Sequence, residues 1–192
     1  MDLRWGDERT HQFITNVGLV TSTGPFGANV MACEWTHLLS YRPALIAICI
    51  RPGDATYENI RATREFGVNL ASTDQAMMSS VSGGTTGKEV DKVKALKEMG
   101  FKFYQAKNIK VPMVEEAVLN MECKLVKEMP LGDHTMLVGE VIEAAANSGR
   151  MPLAYHQGRY GQVQLNVPRP SPEERERLAE IIRKYRKSLG PS

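Results

Sequence analysis

Hydrophobic positions fall into short runs along most of the chain, and these runs predict strands. Residues 44–50 form an unbroken apolar stretch that ends on Arg51, and such stretches are typical of strands buried on both faces. Residues 29–35 precede it with small and soft side chains followed by a tryptophan. The segment from Ser40 to Pro43 predicts a bend, because proline fixes its own φ and favours an extended residue before it. We therefore predict two strands joined by a tight connection.

The remaining pattern predicts further short strands and a few helices. Residues 11–21 predict a strand, or a short helix running into one. Further strand-like segments lie at residues 66–70, 118–126, 135–142 and 161–167. Helices are predicted at residues 56–63, with Asp54 or Thr56 as the cap, and at residues 74–81 and 90–99. A turn at residues 130–133 predicts a hairpin with a polar tip, and residues 154–160 are predicted to form a loop.

The C-terminal segment carries a strong helix signal. Ser171 is a good cap, Pro172 suits the first helical position, and Glu174 completes a capping box. The apolar stripe of this helix consists of Leu178, Ile181, Ile182, Tyr185 and Leu189. We expect residues 169–192 to form a helix that lies across the body of the protein or across a partner subunit.

Many short strands with few helices favour a mainly β fold. The chain of 192 residues is long enough for one sizeable core and too short for two typical ones. A closed or partly closed β-barrel fits this balance better than alternating βαβ units. We therefore assign residues 1–168 to one barrel domain.

Charge and cysteine content exclude several classes of protein. Before Arg169 the chain has 17 Lys and Arg against 18 Asp and Glu, which argues against nucleic acid as the main partner. Three cysteines without CxxC spacing indicate a reducing compartment and no zinc site. No apolar stretch reaches the ~20 residues that span a bilayer, and the charged N-terminal residues do not resemble a signal peptide. We expect a cytoplasmic protein with no membrane partner.

Common catalytic motifs are absent from the sequence. There is no GxGxxG after a strand, no GxSxG and no HExxH. Residues 82–88, SGGTTGK, lack the spacing of a phosphate loop. These absences argue against a Rossmann nicotinamide site, a serine hydrolase and a zinc protease.

Residues 29–56 could nevertheless form a pocket for a flat, anionic ligand such as flavin mononucleotide (FMN). The small residues of the first strand, from Asn29 to Cys33, could form a slot for a planar ring. Ser40, Arg51, Thr56 and the nearby helix start could hold a phosphate group. The alternative is that Met31, Ala32 and Cys33 are ordinary core residues.

Five segments, taken in order, resemble the flavin reductase-like family, an FMN-binding split barrel. They are GANVMACEW, LSYRPALIAICIRP, TYENIRATREFGVNL, a DK pair followed by GDHTMLVGEV, and PLAYHQGRY. The similarity extends over about residues 10–167, and its flavoredoxin-like branch matches best. The resemblance implies a six-stranded antiparallel Greek-key barrel that forms a homodimer, with FMN near the subunit interface. The basic tail and the extra residues between Cys33 and Ser40 depart from the commonest reductases.

The same resemblance implies which residues contact FMN. Those expected along the ring are Asn29, Val30, Met31, Ala32, Cys33 and Trp35. Those expected near the phosphate are Ser40, Arg51, Thr56 and Lys92.

Two histidines and one cysteine are further candidates. His134, at the tip of the predicted hairpin, is the best candidate for contact with a nicotinamide or another electron partner, although such a histidine often makes only local turn contacts. His156 is a weaker candidate of the same kind. Cys49 approaches the redox centre in some family members, but a buried thiol is otherwise inert.

Three hypotheses for function follow. The first is an NAD(P)H-dependent reductase that transfers hydride to bound FMN and then passes electrons to free flavin, a metal complex or a protein. The second is an electron carrier that holds FMN, exchanges electrons with a partner protein and has no nicotinamide site. The third is a binding module that keeps the barrel without the cofactor.

Overall fold

A computed structural model of the chain describes residues 1–4 and 6–187. Twelve strands are present in these residues: β1 (Thr15–Asn16), β2 (Gly18–Ser22), β3 (Asn29–Cys33), β4 (Thr36–Tyr41), β5 (Ala44–Ile50), β6 (Glu65–Leu70), β7 (Phe103–Gln105), β8 (Pro112–Val114), β9 (Leu119–Leu131), β10 (His134–Ala146), β11 (Leu153–His156) and β12 (Arg159–Gln162). The α-helices are α1 (Ala55–Thr63), α2 (Ala76–Gly84), α3 (Lys92–Glu98) and α4 (Pro172–Lys184). Two 3₁₀ turns cover Thr10–Gln12 and Thr73–Gln75.

Seven strands form the main sheet, in the order β3-β2-β6-β9-β10-β5-β4, and all neighbours are antiparallel. The prediction of a mainly β, antiparallel fold is confirmed. The sheet has seven strands where six were expected, because residues 36–41 form β4, a strand of their own. Hydrogen bonds between the described strands do not close the sheet into a full barrel.

The sheet curves strongly enough to bring its two ends together. Cys33, at the end of β3, places its Sγ 3.6 Å from the carbonyl oxygen of Cys49 in β5. The Cys49 backbone N–H also donates to the carbonyl oxygen of Trp35, at 3.0 Å. Gly139 permits close packing inside this curve, since a Cβ there would lie 2.4 Å from the buried Phe66 ring. The open side of the sheet therefore lies between its edge strands β3 and β4, and its two ends meet where Cys33 and Trp35 contact Cys49.

Apolar side chains fill two cores, one on each face of β2 and β3. One core lies inside the curved sheet and includes Val20, Cys33, Ile48, Phe66 and Leu137. The other lies between the outer face and the helices α2 and α3, and it includes Leu19, Val30, Met78, Val93 and Leu96. Side chains alternate along a strand, so successive residues of β2 and β3 enter one core and then the other. Both strands are therefore packed on both faces. This double burial fixes the position of β3.

Two assignments near the C-terminus were wrong. Residues 154–160, predicted as a loop, belong to the hairpin β11–β12, which turns at Gln157 and Gly158 with positive φ values of 51° and 73°. The strand predicted over residues 161–167 ends at Gln162. Leu165 and Val167 are 96% and 85% exposed, so their alternation with polar residues does not reflect a paired strand.

The terminal helix α4 is confirmed, including its capping box. The Ser171 hydroxyl accepts from the Glu174 backbone N–H at 3.1 Å, and the Glu174 carboxylate accepts from the Ser171 N–H at 2.7 Å. The described members of its apolar stripe are exposed: Leu178, Ile181, Ile182 and Tyr185. Leu189 lies outside the described residues. That this helix packs on the body of the protein or on a partner subunit stays a prediction.

No helix within residues 1–4 and 6–187 is long and apolar enough to cross a membrane.

Candidate functional site

An aromatic pair marks the open end of the sheet. Trp35 directly follows β3, and the centroid of its ring lies 4.5 Å from that of the His134 ring, with the planes tilted by 47°. Trp35 is 48% exposed, although tryptophan usually buries most of its surface. The pair therefore offers a partly open aromatic surface for a flat ligand.

Asp133 orients the imidazole of His134. Nδ1 of His134 lies 2.8 Å from the Asp133 carboxylate, and since a carboxylate only accepts, Nδ1 carries the proton. The hydrogen bond from His134, aided by the nearby charge of Arg51, lowers the pKa of Asp133. This arrangement leaves Nε2 of His134 available for another contact.

Arg51 provides a cation next to this pair. Ile50 is paired with Thr135 across β5 and β10, so Arg51 follows at the position opposite His134. The side chain of Arg51 is exposed and makes no ion pair with any other described residue. It is therefore free to bind an anionic group.

Helix α1 begins four residues beyond Arg51, at the turn that follows β5. Its N-cap, Asp54, accepts no hydrogen bond through its side chain from the described helix. The first N–H groups of an α-helix have no partner within the helix, so they can bind an anion. Arg51 and the start of α1 thus present positive charge and donors on the same short segment.

Asn29 joins β3 to the start of α1. Its amide nitrogen donates to the Thr56 hydroxyl at 2.8 Å, and both residues are almost completely buried. The Asn29 Oδ1 is also buried and has no hydrogen-bond partner among the described residues. Thr56 is 1% exposed, so its side chain lies beneath the helix start and connects it to β3.

The other predicted ring residues on β3 differ in their surroundings. Val30 is completely buried and Cys33 is 2% exposed, whereas Met31 and Ala32 are half-buried. Burial raises the pKa of the Cys33 thiol to about 11, so this group is a poor nucleophile near neutral pH. Cys49 is half-buried, and burial raises its thiol pKa as well.

The structure does not bring Ser40 together with Arg51 and Thr56. Ser40 is paired with Leu45 near the far end of the β4–β5 hairpin. Arg51 lies six residue steps along the extended strand from Leu45, which corresponds to about 20 Å. Within one subunit Ser40 therefore cannot contact the same phosphate as Arg51.

The side chains of Lys92 and His156 make hydrogen bonds with backbone carbonyl groups. The Lys92 ammonium donates to the carbonyl oxygens of Ser82 and Thr85, each at 3.0 Å, and the residue is 2% exposed. Burial lowers the pKa of Lys92 to about 8. Nδ1 of His156 lies 3.1 Å from the carbonyl oxygen of Phe13.

A cleft of about 370 Å³ lies on the other side of β3, a feature that the sequence did not predict. Its wall includes Ala32, Glu34, Gly83, Tyr155 and Tyr160. The two tyrosine rings pack with their centroids 5.5 Å apart. The sequence analysis predicts a loop over residues 154–160 and so does not predict this cleft, although Gln157-Gly158 between two tyrosines is a usable hairpin signal.

Besides the cleft, sequence reasoning missed one buried residue, Asn59. Its Oδ1 accepts from the backbone N–H of Phe26 at 3.0 Å, and its amide nitrogen donates to the Gly27 carbonyl oxygen at 2.9 Å. Asn59 is completely buried. It thereby fixes the β2–β3 loop on α1, and an asparagine inside a predicted helix was the signal for this role.

Comparison with known proteins gives a consistent result. The family model for the flavin reductase like domain matches residues 10–164. An uncharacterized protein of Pyrococcus abyssi is 31% identical over 143 residues, which cover 72% of this chain and 80% of that protein. The FMN reductase (NADH) SmoA of Agrobacterium fabrum is 25% identical over 152 residues, covering 78% of this chain and 80% of that protein.

A solved structure also superposes well on the chain. The flavin reductase PheA2 in its native state gives a TM-score of 0.71 at 26% identity, covering 85% of this chain and 99% of that one. Helix α4 lies beyond the residues that the family model matches.

Proposed function

This chain belongs to the flavin reductase-like family, and on that premise we propose that it is an oxidoreductase that binds FMN and is reduced by NAD(P)H. The observation that carries the proposal is the cluster of Trp35, His134 and Arg51 beside the start of α1. An aromatic surface and an anion-binding end, joined by one short segment, suit a flat ring that carries a phosphate group.

A bound flavin supplies the redox chemistry, since it accepts hydride and passes electrons onward. The protein residues bind and orient it. Arg51 and the first N–H groups of α1 would neutralise the phosphate. Strand β3, with its small residues, and the partly exposed Trp35 would hold the ring.

His134 would contact the nicotinamide. It begins β10 next to Trp35, and its side chain is 16% exposed, so part of the imidazole is accessible to a second ring. Asp133 fixes its orientation through Nδ1. The imidazole therefore positions a substrate and does not need to act as a nucleophile.

Reconstitution tests the cofactor. The purified protein should bind FMN and show the visible absorption of an oxidised flavin, and parallel titrations with FMN, flavin adenine dinucleotide (FAD) and riboflavin should rank FMN first. A protein that stays colourless with all three flavins would instead be a binding module without a redox cofactor. If the protein instead prefers FAD, the proposal that it is an oxidoreductase stands, and FAD is its cofactor in place of FMN.

A further inference from the structure

We propose that Lys92 is a positioning residue, which fastens the end of α2 and the loop after it against β3, and that it does not bind the cofactor phosphate. This inference rests on the proposed flavin site and changes the role of one of its expected residues. It concerns residues 85–91, here called the α2–α3 loop.

The first argument is the environment of the Lys92 ammonium group. It lies at the C-terminal end of α2, where it donates at 3.0 Å to the carbonyl oxygens of Ser82 and Thr85. A cation there satisfies carbonyl groups that have no partner within the helix and interacts favourably with the helix dipole. Two of the three ammonium protons are donated to these carbonyl oxygens, and 2% of the residue is exposed. Lys92 therefore presents almost no surface to the phosphate of a flavin.

The second argument is what the fastened segment touches. A Cβ placed on Gly83, in the last turn of α2, would lie 3.4 Å from the Cβ of Ala32, so this turn packs closely on β3. A Cβ on Gly87 would lie 2.4 Å from Oδ1 of Asn29. The backbone of the α2–α3 loop therefore lies directly against the asparagine that joins β3 to α1.

These contacts connect Lys92 to the flavin site without direct contact. Lys92 holds the end of α2, the end of α2 packs on Ala32, and the α2–α3 loop covers Asn29. Asn29 in turn donates to Thr56 at the start of α1. Loss of the Lys92 ammonium should loosen this chain of contacts and shift both β3 and the start of α1.

The loop also contains a matched control. Lys88 is exposed, and its Nζ lies 5.2 Å from the centroid of the Phe26 ring. Lys88→Met removes a lysine charge from the same loop without removing a bond to a backbone carbonyl. Lys92→Met and Lys88→Met therefore make the same change in charge.

The test compares FMN with riboflavin, which lacks the phosphate. We expect Lys92→Met to weaken the binding of both flavins about tenfold, which is about 1.4 kcal/mol. The ratio of the two dissociation constants should stay within about twofold of the wild-type ratio. Lys88→Met should leave both constants unchanged. Lys92→Arg, which keeps a cationic donor, should restore part of the affinity for both flavins. Loss of FMN affinity alone in Lys92→Met would identify Lys92 as a phosphate ligand and overturn the proposal.

Hydrogen exchange of the flavin-free protein supplies a second readout, independent of cofactor binding. Exchange in residues 82–91 should rise in Lys92→Met and stay at the wild-type level in Lys88→Met. Unchanged exchange in Lys92→Met, or a lower melting temperature with unchanged flavin affinities, would contradict the positioning role. If the wild-type protein bound no flavin, the proposed function would fail, while this exchange comparison would still test the fastening of the loop.

A nuclear magnetic resonance measurement on the wild-type protein covers the case in which Lys92→Met does not fold. The Lys92 Nζ resonance should shift by the same amount when FMN or riboflavin is added. A shift with FMN alone would indicate direct contact with the phosphate and overturn the proposal.

Discussion

The exposure of single residues distinguishes the candidates proposed to bind the phosphate. Arg51 is exposed, unlike Thr56 and Lys92, which are 1% and 2% exposed. Arg51 is thus the exposed side chain of these three. The Thr56 hydroxyl instead accepts from Asn29, and the Lys92 ammonium donates to the carbonyl oxygens of Ser82 and Thr85.

Arg51→Ala should therefore weaken FMN binding and leave riboflavin binding nearly unchanged. A charge-assisted contact of this kind contributes about 1.5–3 kcal/mol, which is about one to two decades in the dissociation constant. Titration of both flavins, followed by fluorescence, measures the two constants. Equal losses of affinity for the two flavins would show that Arg51 does not bind the phosphate.

His134→Ala should slow reduction of the bound flavin by NAD(P)H. The affinity for FMN should change by less than about threefold, or about 0.6 kcal/mol, because the imidazole is proposed to contact the nicotinamide and not the cofactor. Rapid-mixing spectroscopy gives the rate, and titration gives the affinity. Release of FMN by the variant would instead place His134 among the residues that bind the cofactor.

At the scale of whole elements, two carboxylates hold the loop that joins β7 to β8. Glu122 on β9 is 4% exposed and accepts from the backbone N–H groups of Lys107 and Asn108, at 2.8 and 2.7 Å. Glu65 on β6 accepts from the N–H of Lys110 at 3.0 Å. These bonds tie the irregular segment to two central strands of the main sheet.

Glu122→Gln should lower the free energy of unfolding by about 1–3 kcal/mol, since the amide leaves one part-buried N–H without its acceptor. Glu143→Gln is the control, because Glu143 makes a partly exposed ion pair with Lys107 at 3.5 Å, and such pairs contribute about 0–1 kcal/mol. Urea denaturation of both variants gives the comparison. Equal effects in the two variants would contradict the role assigned to Glu122.

The outcome of sequence reasoning also differs by element. Strand β5 and helices α1 and α4 were predictable, because an apolar run, a turn followed by a cap and a capping box are local signals. The β11–β12 hairpin was missed because its strands are short, and Val163 to Val167 alternate without a partner strand. Ser40 and Lys92 could not be placed from sequence, because strand register and the reach of a buried lysine depend on tertiary packing.

At the scale of the whole molecule, the described residues expose apolar surface on β4 and on α4, where a second copy of the chain could pack. On β4, Leu38, Leu39 and Tyr41 are 52%, 49% and 85% exposed. The apolar stripe of α4 is the other place. Clustered exposure of this kind is typical of interaction surfaces.

We therefore predict a homodimer with two-fold symmetry. Sedimentation at micromolar concentration should give a mass near twice 21.4 kDa. Ile181→Lys should weaken association if α4 contributes to the interface, and an unchanged mass would exclude α4 from it. A monomer that binds FMN tightly would contradict the expectation that the cofactor lies near the subunit interface.

Anaerobic reduction of the FMN-loaded wild-type protein tests the central claim most directly. NADH or NADPH is mixed with the protein in the absence of oxygen, and the oxidised flavin band is followed, with dithionite as the control reductant. We predict that at least one of the two nucleotides bleaches the band as completely as dithionite does. Reduction by dithionite alone would contradict the reductase and identify an electron carrier without a nicotinamide site.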